Sequence, residues 1–131
     1  MRRLSPALAL ALLAAALAGC RENAAPRRPA EAPEGKRVLV EVLNGSGRRG
    51  LARAATRVLR QAGFDVVYFG TVAGTGAPTQ ALARRGDSAA AVRVARALGA
   101  GAVRVATDTL LRLDVTVILG ADYRPPPGLR P

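Results

Sequence analysis

The chain has 131 residues, with 20 Lys and Arg against 9 Asp and Glu, no histidine, one cysteine and 3% aromatic residues. Without histidine, and with its one cysteine near the N-terminus, it has no Ser-His-Asp or Cys-His catalysis, no histidine general base and no metal site built on His or Cys ligands. The formal net charge of +11 raises nucleic acid as a partner, but so few aromatic residues leave little on which bases could stack.

The N-terminus reads as an export signal. Arg2 and Arg3 form a positive start, and Ala7 to Leu17 is an apolar run of Ala and Leu. That run is shorter than the roughly 20 apolar residues that span a bilayer. Leu17-Ala18-Gly19-Cys20 then resembles the bacterial lipobox. The resemblance implies that the peptide bond before Cys20 is cut and that the Cys20 thiol receives a lipid. Residues 1–20 are thus expected to be a lipoprotein signal peptide, with the mature chain anchored to a membrane through Cys20. The position after Cys20 is Arg21, not the aspartate of an inner-membrane retention signal. The expected location is the cell envelope. In a diderm this is the periplasmic side of the outer or inner membrane; in a monoderm it is the outer face of the cell membrane. Export argues further against nucleic acid as a partner, and no nucleic acid is expected.

Residues 21–36 carry Pro26, Pro29 and Pro33 without apolar periodicity. They read as a disordered tether reaching up to about 50 Å. Arg37 to Leu43 reads as a strand, and Asn44-Gly45-Ser46-Gly47 breaks it. Arg48 to Ala62 reads as a helix burying Leu51, Ala55, Val58 and Ala62, with Arg49, Arg53, Arg57 and Arg60 on the other face. Gly63 suits its end, and Phe64 to Phe69 is a second strand. After the turn residues Gly74, Gly76 and Pro78, Thr79 to Arg84 is a short strand. Asp87 can cap a second helix from Ser88 to Leu98, which buries Ala91, Val94, Ala95 and Leu98 and stops at Gly99. Val103 to Ala106 is a weak strand and Leu113 to Leu119 a strong one, and residues 124–131 are a loose Pro-rich tail. The order predicts an α/β (α+β) two-layer sandwich, β-α-β-β-α-β(β), with two helices on one mixed sheet.

Gly45-Ser46-Gly47-Arg48-Arg49-Gly50 fits a Gly-x-Gly-x-x-Gly dinucleotide fingerprint between a strand and a helix. The acidic residue required about 20 positions on is missing, Tyr68-Phe69-Gly70 standing there instead. The same glycines permit a sharp strand-to-helix turn, and the loop could also hold phosphate or carboxylate groups. The arginine row is either a solvated face or a footprint for anionic polymers or lipid headgroups. Asn44 could bond backbone N–H groups in the turn. Asp122 and Tyr123 could meet a ligand at the edge of the last strand. Otherwise they end that strand, with Tyr123 packed on the sheet and its hydroxyl in water.

Val40-Glu41-Val42-Leu43-Asn44-Gly45-Ser46-Gly47, Gly50-Leu51-Ala52 and Ala62-Gly63-Phe64-Asp65-Val66-Val67 resemble the C-terminal domain of LytR-type cell-envelope proteins. Arg85-Gly86-Asp87 and Asp114-Val115-Thr116-Val117-Ile118-Leu119-Gly120-Ala121-Asp122-Tyr123 continue the match, so that residues 37–123 form the expected domain. The resemblance implies an accessory module without the catalytic motifs of the phosphotransferase domain that often precedes it. The reading is therefore a non-enzymatic lipoprotein with no catalytic residue, cofactor or metal. It is expected to bind peptidoglycan or an anionic glycan, or to act as a scaffold for an envelope protein, with Asn44, Gly45, Ser46, Gly47, Arg48, Arg49, Asp122 and Tyr123 as ligand-binding candidates. A hydrolase or transferase built on Asp87 and Asp122 is the remaining alternative.

Overall fold

A computed structural model describes residues 36–74 and 76–129. The leader, Cys20 and nearly all of the tether lie outside those residues. Seven elements follow in order: β1 (Leu39–Asn44), α1 (Leu51–Gln61), β2 (Asp65–Thr71), β3 (Gln80–Ala83), α2 (Ser88–Leu98), β4 (Ala102–Val105) and β5 (Val115–Leu119). Both of the last two expected strands are present. The sheet order is β2-β1-β5-β3-β4. β1 runs parallel to β2 and β5, while β3 runs parallel to β4 and antiparallel to β5. Two β-α-β units therefore lie side by side, and β5 joins them. The predicted mixed sheet under two helices is the observed architecture.

Alternation explains the layering. Val40 and Val42 of β1, Ala81 and Ala83 of β3, and Val115, Val117 and Leu119 of β5 project to one face. They share one core with Leu51, Ala55 and Leu59 of α1 and Ala91, Val94 and Leu98 of α2. Small alanines at these positions let helices and sheet approach closely. The opposite face holds Leu43, Tyr68, Leu82, Thr116 and Ile118.

The helix boundaries follow from local chemistry. Asp87 caps α2, its carboxylate accepting from the Ala89 N–H at 2.9 Å. α1 ends as a helix with a left-handed residue at Gly63 does: the Phe64 N–H donates to the Leu59 carbonyl at 3.0 Å and the Gly63 N–H to the Arg60 carbonyl at 3.1 Å. Its start differs from expectation. Gly50 adopts φ 80° and no side chain caps the helix, which begins at Leu51 instead of Arg48. Its buried face is also wider than expected. Ala52, Ala54, Thr56 and Leu59 join Leu51 and Ala55, while Val58 is half-buried and Ala62 exposed.

One irregularity shapes the region beyond the core. Val40 pairs with Val66, but Glu41 pairs with Tyr68, so Val67 is an extra residue in β2. The bulge reverses the phase of the strand. Tyr68 and Gly70 fall on the open face, while Phe69 and Thr71 share the side of Val42 and Asn44.

Candidate functional site

The C-terminal ends of β1 and β5 bring most of the candidate residues together. Asn44 closes β1 and is nearly fully buried. Its Oδ1 accepts from the Ser46 N–H at 3.1 Å and the Ser46 hydroxyl at 2.6 Å. Its Nδ2 donates to the Arg48 carbonyl at 2.6 Å. The Arg48 N–H donates to Ser46 Oγ at 3.0 Å. The loop thus satisfies its own polar groups. Gly47, at φ 75° with open space around it, and Gly50 supply the left-handed bends that carry β1 into α1. The Gly45 N–H bonds the Leu119 carbonyl at 2.9 Å, fastening the loop to β5.

Arg48 ties this loop to the segment after β5. Its guanidinium donates to the Tyr123 carbonyl at 3.2 Å, where Arg124 also donates at 3.1 Å. Arg49 stands exposed beside it. The side chains of Asp122 and Tyr123 turn elsewhere. Asp122 Oδ1 accepts from the N–H and the hydroxyl of Thr79, both at 2.8 Å, so it clasps the start of β3 to the end of β5. Tyr123 is completely buried, and its hydroxyl is without a hydrogen-bond partner among the described residues. This corrects the expectation that the hydroxyl sits in water. The Tyr123 N–H bonds back to the Gly120 carbonyl at 3.2 Å, and that turn drives the ring into the core. Tyr123 offers no side-chain surface to a ligand.

The Asp122 carboxyl titrates below its ordinary 3.8. Burial pushes it up, but the Thr79 N–H and hydroxyl, its own N–H and the nearby Arg124 charge together outweigh that and hold it down. A folded-state value below the unfolded one means that the unfolded chain binds the proton more readily. The clasp therefore adds stability above pH 3.8, and that contribution is lost as pH falls further. Asp122→Asn should be less stable than wild type at pH 6 in urea melts, and the difference should shrink towards pH 3. A gap independent of pH would show that the charge of the clasp contributes nothing.

A crevice of about 380 Å³ opens beside the loop, between the first turn of α1 and the ends of β1 and β2. Asn44, Gly50, Ala52, Arg53, Phe69, Gly70 and Thr71 line it.

Residues 37–123 match the family model described as LytR cell envelope-related transcriptional attenuator. The chain belongs to this family. The matched span runs from two residues before β1 to the buried Tyr123. A solution structure of the C-terminal domain of RV0431 is similar, with 32% sequence identity over 74% of this chain and 83% of that one and a TM-score of 0.45. No curated protein matches the chain. As a LytR C-terminal domain, the protein is a cell-envelope-related module.

The electrostatics of the domain are lopsided. Among the described residues the one ion pair is Arg85 with Asp114, at 2.9 Å. Most of the described acids serve the fold. Asp87 caps α2, Asp108 accepts from the Leu110 N–H, Asp114 accepts from the Leu39 N–H, and Glu41 accepts from the Thr116 hydroxyl. Arg48, Arg49, Arg53, Arg57 and Arg60 have no carboxylate partner among the described residues. Arg60 donates to the Val66 carbonyl at 2.9 Å and Arg57 reaches the Leu129 carbonyl at 3.4 Å. No group of three or more His, Cys, Asp or Glu able to hold a metal occurs among the described residues, and none of their helices is long and apolar enough to cross a membrane.

Three features of this LytR C-terminal domain were not among the sequence candidates. Phe69 and Thr71 reach the crevice through the bulge at Val67, which alternation alone does not reveal. Arg53 was visible in the helix stripe, but its place at the crevice mouth depends on where α1 begins. The ends of adjacent parallel strands were the available signal, since crevices form there.

Proposed function

We propose that the chain is a non-enzymatic, lipid-anchored accessory module that binds an anionic envelope polymer through α1. The observation that carries this reading is the run from Arg48 to Arg60: five arginines, no acid in the interval, and no carboxylate partner among the described residues. An exposed row of unneutralised guanidinium groups suits phosphate or carboxylate groups along a chain. Arg53 and Arg57 are four residues apart on α1, so they stand about 6 Å apart along the helix, and Arg49 lies in the turn just before it. The family's envelope association supplies the setting, and Cys20 supplies the anchor. The carboxylates that a hydrolase would use are otherwise engaged, Asp87 at the α2 cap and Asp122 on Thr79. That favours binding over catalysis.

The test is retention of the full chain on peptidoglycan carrying its anionic glycans, across a salt series. Retention at low salt that weakens as salt rises is expected. Reversing Arg49, Arg53 and Arg57 to Glu should weaken binding by about 100-fold, at about 1 kcal/mol per cation near an anionic surface. Cys20→Ser should release the protein from the membrane fraction. No retention at low salt would sink the polymer reading.

A scaffold role in envelope assembly is the second reading. It is favoured by the uncovered sheet face, where Tyr68 and Val67 are each more than half exposed. Salt-insensitive capture of one envelope protein, lost on Tyr68→Glu and kept on arginine reversal, would replace the first reading with this one.

A further inference from the structure

The arginine row can read charge, but it does not by itself distinguish a sugar polymer from any other polyanion. The crevice at its edge adds a second kind of chemistry. The chain has four aromatic residues, two Phe and two Tyr. Phe64 and Tyr123 are buried in the core, and Tyr68 lies on the open face against Gly70. Phe69 lines the crevice, and there it remains 41% exposed.

Resting on the polymer reading above, we infer that this crevice is the subsite for one sugar ring of the polymer. The ring's apolar face packs on Phe69, and its anionic substituent pairs with Arg53. Four observations converge. The volume of about 380 Å³ falls at the small end of ligand sites, where one substituted ring fits. The lining combines an aromatic face with few, separated polar groups, as orientation-specific sites do. Thr71 is exposed at the wall and adds a hydroxyl that can donate to or accept from ring hydroxyls. Among the described residues Arg53 is the only ionisable one lining the crevice, and its guanidinium has no ion-pair partner there. No carboxylate among the described residues lines the crevice to repel an anion.

The geometry also connects the subsite to the row. Arg53 belongs to both, with Arg57 one turn after it on α1 and Arg49 in the turn that precedes the helix. A polymer bound along α1 would therefore present one unit to Phe69 while its neighbours meet the flanking arginines. The substituent can be a phosphodiester or a uronate carboxylate, since a guanidinium fork accommodates both.

The experiment titrates the full chain in detergent against four polymers. Phosphomannan and polygalacturonate carry sugar and anion, polyphosphate carries anion alone, and dextran carries sugar alone. Wild type should prefer the two sugar polyanions over polyphosphate, and dextran should not bind. Phe69→Ala should reduce that preference about tenfold, the scale of one aromatic contact. Phe69→Trp, which keeps a flat apolar face, should preserve it. Phosphomannan ahead of polygalacturonate would assign the substituent as phosphate, and the reverse order as carboxylate. If Phe69→Ala leaves the preference unchanged while Arg53→Glu weakens all polyanions, the subsite is wrong and the arginine row stands. If no polyanion binds at low salt, the polymer reading fails and the subsite falls with it.

Discussion

Gly120→Ala should lower the melting temperature of the domain by roughly 15 °C. Gly120 follows β5 directly and is buried. A Cβ there would be driven into the Ala77 carbonyl oxygen, and it would lie 2.7 Å from both Asp122 Oδ1 and the Pro78 carbonyl carbon. Two of these three are backbone atoms, so no side-chain rotation relieves the overlap. The third is held in place by Thr79 at 2.8 Å. Gly120 also makes two bonds that any shift would strain. Its N–H donates to Thr79 Oγ1 at 3.0 Å, and its carbonyl accepts from the Tyr123 N–H at 3.2 Å. The damage therefore spreads to the start of β3 and to the turn that seats Tyr123. Overpacking of this kind costs about 3 kcal/mol, and each kcal/mol shifts the melting temperature by about 4–8 °C in a domain of this size. Gly47→Ala is the useful contrast. Gly47 has φ 75° but nothing within 4 Å of the added carbon, so only the left-handed backbone is penalised, by about 1 kcal/mol. Equal melting temperatures for the two variants would mean that residues 77–78 can withdraw freely.

Much of this architecture was legible in the sequence, and the failures have local causes. α2 runs from Ser88 to Leu98 as expected, because Asp87 and Gly99 mark its ends and an apolar face recurs between them. α1 starts three residues later than the sequence predicts. Arg48 and Arg49 are good helix formers, and nothing in their side chains announces that Gly50 takes a left-handed conformation. Its buried face was drawn through Val58 and Ala62, whereas the helix packs on both the sheet and α2 and buries Ala52, Ala54 and Thr56 as well. Alanine gives little hydrophobic signal to choose among faces. Thr56 sits there because its hydroxyl donates to the Ala52 carbonyl at 2.8 Å. The bulge was hidden for a similar reason. Val66-Val67-Tyr68-Phe69 is apolar throughout, so alternation cannot locate the extra residue. The turn bonds of Asn44 were foreseeable, because its partners Ser46 and Arg48 are its neighbours in the chain. Asp122 was not, because its partner Thr79 is 43 positions away. That contact requires the antiparallel pairing of β3 with β5.

Tyr123 separates a structural role from a ligand-binding one most sharply. It is the largest of the fully buried side chains, in a core otherwise built from valines, leucines, alanines and Phe64. Tyr123→Ala should therefore cost about 3–5 kcal/mol, since the surrounding strands cannot collapse into so large a void. Tyr123→Phe should behave in the opposite way. The hydroxyl makes no hydrogen bond among the described residues, so its removal loses no interaction and relieves the desolvation of a buried polar group, by about 1 kcal/mol. Alkaline titration supplies an independent check. Burial raises the Tyr123 phenol above its ordinary 10.0. The unfolded chain then gives up this proton first, so stability is fully present below pH 10 and falls as pH rises beyond it. Tyr123→Phe should remove that part of the alkaline loss while matching or exceeding wild type at pH 7. A Phe variant that melts well below wild type at pH 7 would show that the hydroxyl has a partner after all, and would return Tyr123 to the binding candidates.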